Sequence, residues 1–500
     1  MRLAEKKSLL LVTVDCLRAD HVGFMGYDRP TTPFLDTLAC DSFVISSAIV
    51  GGAPTYYSVP SILASRFPLD LGRDQLGLAP GEATLATLLR EAGYATAAFC
   101  AGNPYISSRF GYDQGFDTFE DYLNSGAGSV VETKPLHRND RWARRVNRGI
   151  AAVSQRFGPV GKLYDELYFQ YCQRWATPAE KSLDVLRRFP AADVIVDAAL
   201  SWLQSRGDQP FFLWLHLMDP HSPYYPPEPA LEAMDSRGWT PFRARYQNSF
   251  WNRGDVGTAR LARHRGEIVE LYDAGIRWVD MQVGRLVEEL KKAEHWDQCV
   301  MAVSADHGEE FLDHGGRYHP PAHLKEELIH VPLLLRVPGS STKKQSAAPF
   351  SLLHLAPTLL EALGQPSCAN FHGRSLWAQI KAGSGWENPA ISECVAGCTN
   401  PFLPQNRLGA RVLAVRDARY KLILYFDPPG ELLFDLETDP GEQAPLSAGT
   451  EKLVRRRLLE VARDHMTHSA TRRDLQARVR SRLRDLQLEW GAPPAQPVAS

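Results

Sequence analysis

Residues 300–319 read VMAVSADHGEEFLDHGGRYH. The stretch opens on a continuous apolar run, Cys299 to Val303, which is the composition of a strand buried on both faces. Asp306-His307-Gly308-Glu309 follows at once. Open α/β sheets bind their ligands beyond the carboxyl ends of their strands, so this carboxylate and imidazole leave the strand where a ligand belongs. Oxygen and nitrogen donors side by side make half of a divalent-metal site. His314 and His319 follow at loop distance and are candidates to face the same crevice. The stretch alone does not complete a ligand set, because adjacent Asp-His pairs are common and most histidines carry no chemistry.

Outward from this stretch the same alternation repeats. Leu9–Val14, Ser42–Val50, Ala95–Cys100, Pro210–Met218 and Val331–Val337 are apolar runs of strand length. Helical patterns lie at Thr32–Cys40, Ser58–Ser65, Thr84–Ala92, Ala191–Leu203 and Arg260–Lys292. The last has apolar residues at Ile268, Leu271, Ile276, Val279, Val283 and Leu286. Polar residues capable of chemistry stand just after the strands: Asp15 to His21, Asn103, and Asp219-Pro220-His221. Gly51-Gly52-Ala53-Pro54-Thr55 reads as a small-residue turn that lets backbone approach a ligand. The alternation predicts an α/β fold: a large α/β/α domain over 1–375 with a mostly parallel, doubly wound sheet. Residues 124–188 break the rhythm and read as a helical insertion with a basic face, led by Lys134, Arg138, Arg141, Arg144, Arg145 and Arg148. After Ser375 come short strands at Arg411–Val415, Tyr420–Phe426 and Leu432–Leu436, then a helix at Thr450–Asp464. They predict a smaller C-terminal α/β domain with an antiparallel sheet over 376–470. A basic helix, Arg472–Trp490, and an Ala/Pro-rich tail that reads as disordered complete the chain.

Of 500 residues, 44% are hydrophobic and 23% charged, the composition of a soluble globular protein. A formal net charge of -2 gives no reason to expect nucleic acid as the main partner. No stretch approaches the roughly 20 apolar residues that span a bilayer. The apolar run Leu9–Val14 ends on Asp15 without a cleavage site, and reads as a strand instead of a signal peptide. Eight cysteines without metal-ligand spacing point to reduced thiols and a cytoplasmic location. A homo-oligomer is left open.

Seven segments then carry a resemblance. VDCLRADHVGFMGY (14–27), DPHSPYYPPE (219–228), SADHGEEF (304–311), ELIHVPLLLRVPG (327–339), LAPTLLEALG (355–364), FHGRSL (371–376) and YKLILYFDPPGELLFDLETDPGE (420–442) resemble, in order, the signatures of the sulfatase family within the alkaline phosphatase superfamily. The resemblance implies a large α/β/α domain, a smaller C-terminal α/β domain, and one divalent metal ion (Mn, Zn, Mg or Ca) at the strand ends. By position, Asp15, Asp306 and His307 fall on the family's metal ligands. The informative departure is at the nucleophile. The family has a Cys or Ser followed by x-Pro-x-Arg, where maturation makes formylglycine. Placing Arg66-Phe67-Pro68 on the family's Arg-Tyr-Pro without gaps puts Thr55 there, and a secondary alcohol cannot be oxidised to an aldehyde. Ser58, at the start of Ser-Val-Pro-Ser, mimics the motif only with a three-residue deletion. Cys16 stands where many sulfatases have a second acidic residue.

Thr55-Tyr-Tyr-Ser-Val-Pro resembles the threonine-nucleophile motif of phosphoethanolamine transferases, although those carry N-terminal membrane helices absent here. In that comparison His221 and His319 fall on phosphate-binding histidines. The resemblances thus imply Asp15, Thr55, Asp306 and His307 as the metal set and Thr55 as nucleophile. Asn103, Arg18, His221 and His319 would contact substrate, and one of the two histidines would protonate the leaving group. Asp20, His21 and His216 read as structural, and Asp313 and His314 as partners of the ligands. The expected substrate is a small anionic ester or a glycan ester, and the expected enzyme a metal-dependent hydrolase or transferase of a phosphate mono- or diester or a sulfate ester. After sulfuryl transfer to a plain hydroxyl no hemiacetal route would release the group, which favours phosphoryl chemistry. The alternatives are a sulfuric ester hydrolase working without formylglycine and an inactive anion-binding relic.

Overall fold

The structure is a computed structural model, which describes residues 6–485 apart from 74, 124–182, 208, 237, 255, 341–347, 387–388 and 448. At its centre lies β1 (Ser8–Val14), buried along its whole length. Two equally buried strands flank it in parallel, β5 (Phe211–Leu217) and β6 (Cys299–Ala305). The register pairs Val14 with both Leu217 and Ala305, so Asp15 and Asp306 leave their strands at one level. The remaining strands are β2 (Phe43–Ile49), β3 (Ala95–Cys100), β4 (Thr118–Glu120), β9 (His330–Arg336) and β10 (Phe350–Ser351), giving an eight-stranded sheet ordered β10-β2-β9-β6-β1-β5-β3-β4. Only β9 runs against its neighbours, β2 and β6. Because β9 separates them, β2 points the same way as β6, and the carboxyl ends of β1, β2, β3, β5 and β6 share one edge.

Two groups of helices cover the sheet. One holds Pro33–Ala39, Ala192–Ser205 and Arg265–Lys292, and the other Thr55–Leu63, Leu85–Glu91 and Leu355–Ala362. The helix expected over Arg260–Lys292 is two, Thr258–Ala262 and Arg265–Lys292. They part at His264, whose ring pairs with Glu267 in the first turn of the longer helix.

A second sheet is antiparallel, ordered β11-β12-β13-β14 over Ala390–Val395, Arg411–Arg416, Tyr420–Phe426 and Pro429–Asp435. The helix Lys452–Asp485 is continuous, where the sequence pattern divides it in two. It contains neither Gly nor Pro, so nothing in its backbone chemistry stops it. Most of the basic segment expected over 124–188, and the tail beyond 485, lie outside the described residues. Among the described residues no helix is long and apolar enough to cross a membrane.

The sheets are joined beside the Gly51-Gly52 turn. Glu393 N donates to Gly51 O at 2.9 Å and Ser392 Oγ to Val50 O at 2.5 Å. A Cβ on Gly52 would lie 2.3 Å from Glu393 O. The smallness of this turn therefore admits β11.

Candidate active site

Five strand ends and one hairpin deliver the site. Asp15 and Cys16 follow β1, Thr55 follows the turn after β2, Asn103 follows β3, His221 follows β5, and Asp306 and His307 follow β6. His319 follows β8 (Arg317–Tyr318), which pairs with β7 (Glu310–Phe311) in a small hairpin. The nine-residue helix Thr55–Leu63 begins at Thr55 and not at Ser58 as the pattern suggested. Its positive dipole end therefore lies at the Thr55 hydroxyl, where it favours negative charge on oxygen.

Thr55 Oγ1 lies 3.1 Å from His307 Nε2 and 3.4 Å from Asp15 Oδ2. Asn103 Nδ2 donates to Asp15 Oδ2 at 2.8 Å and reaches Thr55 Oγ1 at 3.5 Å. His307 Nδ1 donates to Gly308 O at 2.8 Å, which leaves the lone pair on Nε2, pointing at Thr55 and Asp15. Asp15, Asp306 and His307 are fully buried, and their ligand atoms lie within 4.8 Å of one another. Asp306 Oδ2 has no hydrogen-bond partner. Burial, and then the Asp15 charge, push the Asp306 carboxyl well up. Burial opposes ionisation of Asp15 too, but His221, His216 and His307 outweigh it and hold its carboxyl well below the usual range. A buried carboxylate pair, an orphaned carboxylate oxygen and an imidazole lone pair fit a divalent cation, which would relieve the repulsion between the two acids.

Histidines complete the pocket. His221 Nδ1 donates to Ser222 O at 2.5 Å, freeing Nε2, and its ring centroid is 5.2 Å from that of His319. The His319 ring is 4.8 Å from His307, and its Nδ1 is 3.2 Å from Glu309 Oε1. Burial lowers the pKa of both His221 and His319. Burial also raises the Glu309 carboxyl to about 7.

Several side chains sit elsewhere than the sequence suggested. Arg18 directs all its guanidinium N–H groups at Asp20, Asp313 and the Glu309 carbonyl, with contacts from 2.7 to 3.4 Å, which leaves no donor for a substrate oxygen. It braces the loop after β1 against the one after β6. His314 turns away from the cluster, to Glu327 at 2.7 Å. His216 is more than a satisfied core residue, since its Nε2 lies 3.4 Å from Asp15 Oδ2 while Thr13 Oγ1 meets Nδ1 at 2.9 Å. Ser58 hydrogen-bonds to Thr55 O at 3.1 Å, inside the helix.

The sulfatase family model matches residues 7–365, and the model for the C-terminal part of N-sulphoglucosamine sulphohydrolase matches 314–462. This chain belongs to the sulfatase family. Among the family's members, arylsulfatase K of Gallus gallus is 25% identical over 279 residues, half of each chain. The sulfatase-family chain thus spans about half the length of the arylsulfatase K relatives it matches. A multifunctional alkaline phosphatase superfamily protein of Trinickia caryophylli is 24% identical over 498 residues, 88% of this chain and 91% of that one. Among solved structures, the phosphonate monoester hydrolase of Agrobacterium radiobacter superposes with a TM-score of 0.65 at 20% identity, covering 93% of this chain and 96% of its own. A protein solved with its substrate D-glucosamine-2-N,6-O-disulfate superposes at 0.68 and 17% identity, covering 93% and 99%. These likenesses concern the fold.

Of the pocket residues, His216 is the one that the sequence reads as core, while Cys16 and Glu309 stand in its chemistry-bearing segments without an assigned role. For Glu309 a signal existed: it directly follows the Asp-His-Gly that leaves β6. His216 carried none, because a histidine inside an apolar strand reads as core.

Proposed function

We propose that this sulfatase-family chain is a metal-dependent hydrolase of phosphate or phosphonate esters, mono- or diesters, that uses Thr55 as its nucleophile. The observation that carries the reading is the Thr55 hydroxyl, at a helix N-terminus and 3.1 Å from His307 Nε2 and 3.4 Å from Asp15 Oδ2. Asp15, Asp306 and His307, with Thr55, would hold one divalent cation. Bound there, it would lower the pKa of a hydroxyl beside it and polarise the ester. Thr55 Oγ attacks phosphorus, Asn103 fixes Asp15 behind it, and His221 and His319 face the ester oxygens. Burial lowers the pKa of both imidazoles and an arriving anion would raise it, so either could then give a proton to the leaving oxygen. Water releases the group from Thr55. Phosphoryl chemistry is favoured because a plain hydroxyl has no hemiacetal route to expel sulfate. The name of the phosphonate monoester hydrolase agrees with it. The second reading, a sulfuric ester hydrolase acting on a sulfated sugar, draws on the arylsulfatase K relatives and the disulfated glucosamine structure. The described cysteines are all free, which accords with a reducing, cytoplasmic setting.

The deciding experiment compares one aryl leaving group as sulfate, phosphate monoester, phosphodiester and phosphonate monoester, on wild type and Thr55→Ala. Phosphoester or phosphonate turnover is expected, falling roughly a thousandfold or more in the variant. Preferential sulfate turnover that needs Thr55 would favour the second reading, and turnover that ignores Thr55 would remove the nucleophile.

A further inference from the structure

The loop between β11 and β12, residues 396–410, is braced from several sides and yet leaves apolar side chains uncovered. Its base is closed by Ala396 N, which donates to Ala410 O at 2.7 Å. Asn400 shapes the tip, its Oδ1 accepting from Phe402 N at 3.0 Å and its carbonyl from Leu403 N at 3.2 Å. Arg73 ties down the far side through Leu408 O at 3.3 Å and Gly409 O at 2.7 Å. Phe402 stacks on Tyr105 with ring centroids 5.2 Å apart, and Tyr105 N donates to Asn103 Oδ1 at 3.0 Å. One ring thus links the loop to the Asn103 side of the candidate pocket.

Among the described residues seven large apolar side chains are exposed, and three of them stand on this loop: Phe402 at 36%, Leu403 at 44% and Leu408 at 72%. Single exposed leucines are ordinary on any surface, whereas several on one braced loop make a patch that marks a protein or membrane contact. Seating the loop accounts for Phe402, which packs on Tyr105 and Phe110, but not for Leu403 and Leu408. Charge and size identify the occupant. No Asp or Glu occurs from Cys394 to Arg416 or from Ala92 to Tyr112, the two segments that meet at Phe402. Arg73 and Arg109 border the patch, and the Arg109 guanidinium lies 5.4 Å over the Phe402 ring without an ion pair among the described residues. Apolar tips beside cations match an anionic lipid surface, where the apolar groups enter the acyl boundary and the guanidiniums stay at the phosphates. A stable protein interface takes about 20–30 residues a side, more than this loop offers.

We propose that the β11–β12 loop docks this protein on an anionic phospholipid surface, with Leu403 and Leu408 inserted and Arg73 and Arg109 at the headgroup phosphates. Docking there brings the Asn103 side of the pocket close to the bilayer. The inference holds whichever ester the pocket cleaves and does not rest on Thr55.

The test floats the full chain with vesicles of phosphatidylcholine alone and of phosphatidylcholine mixed with phosphatidylglycerol. Binding to the mixed vesicles only is expected, weakening as salt is raised. The double variant Leu403→Ser, Leu408→Ser should weaken it by more than about tenfold, the worth of burying one leucine. Arg109→Gln, on the other segment, should weaken it about fivefold at low salt, so that misfolding of one variant does not decide the question. Leu453→Ser, 73% exposed at the start of the C-terminal helix, is the control and should bind as wild type does. Absence of wild-type binding to the mixed vesicles overturns the proposal. So does binding that the double variant retains, or a loss that Leu453→Ser shares. A dimer in sedimentation velocity that the double variant abolishes, with no vesicle binding, gives the patch to a second copy and overturns it too. Turnover enters none of these readouts, so failure of the Thr55 reading leaves the test intact.

Discussion

Asp15 and Asp306 share one buried point, and two carboxylates there cannot both ionise without a counter-charge. The cost falls on Asp306, which burial and the Asp15 charge push up and whose Oδ2 lacks a partner. A neutral amide at that position removes the repulsion but also removes a ligand. Asp306→Asn is therefore expected to raise the melting temperature of the metal-free protein or leave it unchanged, and to shrink the rise that metal brings. A bound ion at a hundred times its Kd contributes about 2.7 kcal/mol in the wild type. Calorimetry with chelator and with excess metal checks both signs, and a variant that keeps the full metal-induced rise would exclude Asp306 from the ligand set. Asp15, Thr55, Asp306 and His307 are legible in the sequence because each stands just past an apolar strand or the turn that follows one. The true place of Arg18 is not legible, since the acids that occupy it include Asp313, nearly 300 residues away along the chain.

Among the elements, β1, β3, β5 and β6 are readable to within two residues because each is an uninterrupted apolar run. β11 is not, because Ser392 and Glu393 interrupt it. Their polar atoms are satisfied by Val50 O, Leu69 N and His465, all remote in sequence. The direction of β9 is equally hidden, since apolar composition carries no polarity. The short helix Glu326–Ile329 shows what such distant pairing does for stability. Glu326 meets Arg416 at 3.2 Å and Lys421 at 3.1 Å, tying the end of the first sheet to the second. Burial alone would raise its carboxyl, but Arg416 and Lys421 prevail and hold it at about 2. A folded pKa below the unfolded value of about 4.3 gives stability that is complete above that value and is lost as pH falls toward 2. Urea midpoints at pH 5 and pH 3 should fall further apart in wild type than in Glu326→Gln, and equal falls would discount the cluster. Lys421→Met, which takes the cation from the buried Glu442 carboxyl and leaves Glu326 with Arg416 alone, should cost about 3–5 kcal/mol.

For the whole molecule, the second sheet buttresses the candidate nucleophile. Its edge strand β11 receives the Val50–Gly52 turn through Ser392 and Glu393, and Thr55 begins its helix three residues later. Tyr56 continues the link, its hydroxyl donating to the Cys398 carbonyl. The position of the Thr55 hydroxyl relative to Asp15 and His307 thus depends on contacts between sheets as well as within the first. Gly52→Ala tests that dependence without touching any side chain of the pocket. The added Cβ would lie 2.3 Å from Glu393 O and 2.9 Å from Tyr57 Cβ, so backbone has to move. Overpacking of this kind costs typically about 1–3 kcal/mol. The displacement should also lower kcat more than it raises KM, because it shifts the nucleophile while leaving His221 and His319 in place. Gly207→Ala, with nothing within 4 Å of its added Cβ, is the matched control and should leave both stability and turnover near wild type. If the two variants behave alike in thermal melts and in steady-state kinetics, the second sheet does not position Thr55, and the first sheet alone must hold the site.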